Sequence, residues 1–139
     1  TRRQLSSGLC VIDDSYNANP ASIRAGLQVL RAEEGKRILV LGDMAELGEH
    51  SERLHHELLE EISRSGIDRV LTLGARMQRA ASTAGSGVSA YTDLDLLMRT
   101  LVEEVSAATG PVTVLAKGAH SMAMHRVVER LTAIYGEEE

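Results

Sequence analysis

Leu9-Cys10-Val11-Ile12-Asp13-Asp14-Ser15-Tyr16-Asn17-Ala18-Asn19-Pro20 reads as a buried-type strand that runs into a polar loop and then into the start of a helix. Leu9 to Ile12 is apolar without alternation, as in a strand covered on both faces. At the other end Asn19 can cap free backbone N–H groups, and Pro20 suits the first helical position, which needs no donor. Capping explains Asn19 and Pro20, but it does not require Asp13, Asp14, Tyr16 and Asn17. In an open α/β sheet the carboxyl ends of strands border the ligand crevice, so this loop reads as a binding loop.

Outward from that stretch, strand-length apolar runs alternate with segments of helical period. Helices are predicted from about Pro20 to Glu34 on Ile23, Leu27 and Leu30, and from about Ser51 to Arg64 on Leu54, Leu58 and Ile62. A weaker one covers Arg76 to Ser82, and Asp93 can cap a helix through Leu94, Leu97, Leu101 and Val105. The last spans about Ser121 to Tyr135. Strands fall at Arg37 to Leu41, Val70 to Leu73, Val88 to Tyr91 and Val112 to Ala116, and Arg3 to Leu5 can add a short antiparallel strand beside the first. The fold class is therefore α/β, a Rossmann-like, mostly parallel sheet of about six strands with helices on both faces. Residues 1–139 are expected to form a single domain, with Glu137-Glu138-Glu139 a disordered tail.

Composition narrows the partners. With 15 basic and 20 acidic residues the net charge is −5, and there is no Trp or Phe and only three Tyr. This argues against nucleic acid, which needs a basic surface or aromatic stacking platforms. Apolar stretches fall far short of a membrane span and no export leader is recognisable, so a cytoplasmic location without membrane insertion is expected. The single Cys10 fits a reducing compartment and reads as a small buried hydrophobe.

Four strands end in polar or glycine-bearing turns: Asp13-Asp14, Gly42-Asp43, Gly74-Ala75 and Lys117-Gly118. All four should lie along one sheet edge. There Asp can accept from ribose hydroxyls, Lys can meet a phosphate or carboxylate, and Gly permits close backbone approach; for Gly74 alone a simple turn suffices. Other motifs fail. Gly85-Ser86-Gly87-Val88-Ser89-Ala90 has the letters of a dinucleotide fingerprint, yet it precedes a strand and reads as a linker. No G-x-x-x-x-G-K-[ST] phosphate loop occurs. His50, His55 and His56, near Glu57 and Glu60, lack zinc-site spacing and are expected on a solvated helix face, so no metal site is assigned.

The strings Val11 to Pro20, Leu41-Gly42-Asp43-Met44-Ala45-Glu46-Leu47-Gly48-Glu49 and Lys117-Gly118 resemble, in order and spacing, the C-terminal domain of the Mur ligases. The D-D-S-Y-N-A-N-P loop is most similar to that of the branch adding D-alanyl-D-alanine to UDP-N-acetylmuramoyl-tripeptide. The resemblance implies a three-domain cytoplasmic enzyme whose N-terminal domain holds the UDP-sugar. Its central domain would carry the phosphate loop and most of the magnesium coordination, while the C-terminal domain closes over ATP and brings in the amine. By position, Asp14 matches an aspartate that contacts the ATP ribose, and Tyr16 and Asn17 fall where the loop faces the nucleotide. Lys117 matches a catalytic lysine near the acceptor and phosphate site. Asp43, Glu46 and His120 join Lys117 as substrate-binding candidates. Ala119-His120 replaces the usual Ser-Arg after Lys-Gly, and an ATP-binding arginine of the family would precede Thr1. The resemblance also leaves open another ligase of the superfamily, folylpolyglutamate-synthase-like, or a nucleotide-binding module without catalysis.

Overall fold

The computed structural model describes residues 1–15, 18–85 and 87–136, without the side chain of His120. Tyr16, Asn17, Ser86 of the expected linker and the 137–139 tail therefore lie outside the described residues.

Strands β1 (Arg2–Gln4), β2 (Leu9–Asp14), β3 (Lys36–Gly42), β4 (Arg69–Leu73), β5 (Val88–Tyr91) and β6 (Val112–Lys117) form one sheet in the order β1-β2-β6-β3-β4-β5. Only β1 runs antiparallel, against β2; the other pairs are parallel. The added strand covers Arg2–Gln4, one residue earlier than expected; Leu5 follows as a single bridge, its N–H donating to Leu9 O, with its side chain buried in the core.

Alternate side chains of these strands feed two apolar layers. Ile38, Val40, Val112 and Val114 face one layer with α4 (Leu94–Ala107) and α5 (His125–Tyr135). Leu39, Leu41 and Leu115 face the other with α1 (Pro20–Arg31), α2 (Ser51–Ser63) and α3 (Ala75–Ala81). The helical stripes follow from the period read in the sequence: Ile23, Leu27 and Leu30 on α1, Leu97, Leu101 and Val105 on α4. Asn19 and Ser22 make a reciprocal capping box at the start of α1, and Asp93 Oδ1 accepts from the N–H groups of Asp95 and Leu96.

The last helix is shorter than the sequence suggests. A 3₁₀ turn over His120–Met122 comes first, and Ala123, at φ +52°, breaks the continuity so that α5 starts at His125. At the opposite edge of the sheet Lys36 and Arg69 converge on Glu104 of α4, tying β3 and β4 to that helix.

Candidate ligand-binding edge

The topology singles out the end of β6. Its neighbours β2 and β3 are followed by α1 and α2 on one face of the sheet, whereas β6 is followed by α5 on the other. Connections that part to opposite faces leave a crevice at the carboxyl ends of the strands, where ligands of open α/β sheets sit. Register then sets which residues border it. Asp14 pairs with Lys117 across β2 and β6, Leu41 with Lys117 across β6 and β3, and Gly42 with Leu73 across β3 and β4.

Residues paired across parallel strands point to the same face, so Asp14 and Lys117 meet on the α1 side. Lys117 Nζ donates to Asp14 Oδ2 at 2.7 Å, with the lysine side chain 2% exposed and the aspartate 50% exposed. Lys117 is thus not a solvated turn residue; it is the last residue of β6, and its stem is part of the packed interior. Gly26 of α1 packs closely over this stem: a Cβ there would fall 3.1 Å from Leu115 Cδ2, which would have to give way, and 3.5 Å from Lys117 Cδ, an ordinary contact. Asp13 Oδ1 accepts from the N–H of Ser15, turning the chain as it leaves β2.

Asp43, just beyond β3, is buried and acts as a hub. Its Oδ2 accepts from Arg76 N at 3.1 Å and its Oδ1 from Met77 N at 2.8 Å, satisfying two free donors at the start of α3. The capping position itself is Gly74, which has no side chain to contribute. A Cβ on Gly74 would lie 2.4 Å from the Asp43 carboxylate, and its φ of +127° is one that L side chains rarely adopt. Gly74 is therefore more than a turn residue, since its bare Cα admits a cap from the neighbouring strand. Asp43 also donates its N–H to Leu73 O and accepts at its own carbonyl from Ala119 N.

The turn beyond Asp43 is held by His55, which corrects its expected place on a solvated face. His55 is fully buried on α2 with Leu58, Leu59 and Ile62. Met44 N–H donates to Nε2 at 3.0 Å, and Nδ1 lies 2.6 Å from Ser51 O. The spacing 55, 58, 59, 62 is itself a helical stripe and could have revealed this burial. His56 stays near Glu60 at the surface and His50 near Glu49. Glu46 is exposed, with φ +59°. His120 lies in the 3₁₀ turn after β6, and its side chain is outside the described residues, as are Tyr16 and Asn17. Among the described residues no three His, Cys, Asp or Glu side chains are grouped to hold a metal, and no helix is long and apolar enough to cross a membrane.

Of the residues singled out from sequence, Asp14, Lys117 and Asp43 do converge on one edge; Gly26, Gly74 and His55 were not read as its supports. Comparison with known proteins agrees with this fold. The UDP-N-acetylmuramoyl-tripeptide--D-alanyl-D-alanine ligase of Escherichia coli K12 is 43% identical over 128 residues, and its Bacillus subtilis counterpart 37% over 132. These alignments take in 92% and 90% of this chain, which spans about 28% of the length of either relative. MurF from Acinetobacter baumannii superposes with a TM-score of 0.88 at 27% identity, over 96% of this chain and 29% of that one. The MurF ligase from Thermotoga maritima in complex with ADP gives 0.79 at 25% identity, over 93% and 29%. The sequence profile of the family described as "Mur ligase, glutamate ligase domain" matches residues 1–120, and the chain belongs to that family.

Proposed function

We propose that this chain is the closing domain of an ATP-dependent amide ligase that adds D-alanyl-D-alanine to UDP-N-acetylmuramoyl-tripeptide, a cytoplasmic step of peptidoglycan precursor synthesis. The observation that carries the reading is the alignment of 92% of the chain, at 43% identity, with a relative bearing that activity in its name. The ADP named with the Thermotoga maritima relative supports a nucleotide as one ligand.

In this reading the tripeptide carboxylate attacks the γ-phosphorus of ATP, ADP leaves, and an acyl phosphate forms. The dipeptide amine then adds to the acyl carbon, and phosphate departs as the amide forms and the amine gives up its proton. An acyl phosphate open to water would hydrolyse, so a domain that closes over the nucleotide protects it. Asp14 is suited to accept from ribose hydroxyls, because Lys117 orients its carboxylate through Oδ2 and Oδ1 keeps acceptor capacity. Tyr16 and Asn17 would complete the nucleotide side. The Lys117 cation, shielded from water, would favour negative charge on the transferring phosphate or the acceptor carboxylate. Glu46 and His120 would border the dipeptide, and Asp43 would hold that border in shape. Magnesium would be held mainly by the central domain; among the described residues no three His, Cys, Asp or Glu side chains are grouped to hold it. The central and N-terminal domains of the whole protein would supply the phosphate loop and the UDP-sugar site.

Phosphate release by the purified full-length protein tests the reading. Turnover should require ATP, UDP-N-acetylmuramoyl-tripeptide and D-alanyl-D-alanine together, and the 139-residue chain alone should give none. Turnover with a different amine, such as glutamate on a folate acceptor, would assign the chain to another ligase of the superfamily. A full-length protein without a phosphate loop would make it a non-catalytic nucleotide-binding module.

A further inference from the structure

His55 is a polar side chain on an otherwise apolar stripe, and its short bonds to two backbone groups fix its chemical state, with Ser51 Oγ, which can serve as donor or acceptor, a longer 3.4 Å from Nδ1. A backbone N–H can only donate, so Nε2, facing Met44 N–H, is the acceptor. A carbonyl can only accept, so Nδ1, facing Ser51 O, carries the proton. The ring is a neutral imidazole locked in one tautomer between α2 and the exit of β3.

The segment it grips is short and anchored at both ends. Asp43 is tied to Leu73, Arg76, Met77 and Ala119, and Met44 is 1% exposed with its only N–H spent on His55. Leu47 packs against the core on the other side. Between the anchors Ala45 and Glu46 are exposed, and Glu46 has left-handed backbone, which a residue with a Cβ adopts only when its surroundings hold it there. A leucine at position 55 would fill the same stripe without holding Met44.

We infer that His55 is a positioning residue that sets the conformation of the 43–47 turn, and through it the placement of Glu46 and Asp43 at the ligand-binding edge. The inference rests on the ligase reading for its kinetic consequence, and on the hydrogen-bond pattern alone for its structural one.

Two substitutions separate positioning from packing. His55→Leu keeps apolar volume and removes the acceptor, whereas His55→Gln keeps an acceptor within reach of Met44. In the full-length protein His55→Leu should raise KM for D-alanyl-D-alanine about five- to tenfold, as expected when a buried donor loses its partner, with KM for ATP nearly unchanged; His55→Gln should restore most of the loss. A lower melting temperature with both KM values unchanged would overturn the inference. In the 139-residue chain, ¹⁵N spectra should show His55 protonated on Nδ1 only, and amide exchange should show Met44 protected in wild type and His55→Gln but not in His55→Leu. Protonation on Nε2, or a Met44 amide still protected in His55→Leu, would also overturn it. If the wild-type full-length protein shows no dipeptide-dependent turnover, the ligase reading falls, and the spectra and amide exchange still decide the role of His55.

Discussion

Lys117 donates to Asp14 across two parallel strands whose residues lie 103 positions apart in sequence, and only one partner meets water: the lysine is buried and the aspartate half-exposed. That asymmetry separates the two roles. Lys117 belongs to the interior, with its ammonium on Asp14 Oδ2, while Asp14 is the member of the pair open to solvent.

The two residues should therefore respond differently to truncation. Lys117→Ala removes a packed stem and should cost about 2–4 kcal/mol of stability, whereas Asp14→Ala, whose carboxylate is half-solvated, should cost less than about 1.5 kcal/mol. Lys117→Met keeps the stem and should fold nearly as well as wild type. In the full-length protein both Lys117→Met and Asp14→Ala should lower kcat/KM for ATP about tenfold or more, the loss of a charge-assisted bond. Urea unfolding beside steady-state kinetics checks this; equal stability losses for the two alanine variants would contradict the asymmetry.

Gly26 is expected to tolerate one methyl group and no more. Ala would gain about 1 kcal/mol of helix propensity, offset by contact with Leu115 and Lys117, so Gly26→Ala should change stability little. Gly26→Leu should cost about 2 kcal/mol or more by overpacking and should weaken ATP use by displacing Lys117. Finding Gly26→Leu as stable as wild type would show that α1 can lift from the sheet without penalty.

Asp43 and Gly74 should behave as one device. Asp43→Ala leaves two donors of α3 without their acceptor, at about 2–4 kcal/mol, and Asp43→Asn should lose roughly half of that. Gly74→Ala should cost about 2 kcal/mol or more, from its φ and from the approach to the carboxylate. The double variant should lose less than the sum, because removing the carboxylate removes the clash. Strict additivity in chemical denaturation would uncouple the pair.

Glu104 gives the expected pH dependence. The hydrogen bond from Lys36 is the main influence lowering its pKa below the ordinary value of 4.5, with the Lys36 and Arg69 charges adding to it and partial burial opposing it. A carboxyl group with a lowered folded pKa stabilises the protein above its unfolded value, and that contribution is lost as pH falls through the folded value. Stability should thus decline below about pH 4.5, and Glu104→Gln should flatten that limb while lowering stability at neutral pH. Urea midpoints measured from pH 3 to 7 for both proteins provide the check; parallel curves would remove Glu104 from the acid transition.

Much of this protein was legible in its sequence because the signals concerned are local. Alternation of apolar runs and helical stripes requires a parallel sheet covered on both faces; Asn19 and Asp93 mark helix starts through bonds to residues two or three positions away, and Pro20 by suiting a first position that needs no donor. The strand-end turns carrying Asp14, Asp43 and Lys117 could be named for the same reason: strands that alternate with helices return to one edge. What each of those side chains does was decided by tertiary structure. The pairing of Lys117 with Asp14 depends on β6 entering between β2 and β3, a choice made by crossovers of dozens of residues that no local period encodes. The Asp43 cap on α3, the gap at Gly26 and the burial of His55 likewise arise where distant segments come within hydrogen-bonding or van der Waals range. Period and capping depend on neighbours along the chain, whereas a buried polar group takes its partner from whichever strand or helix the fold brings against it.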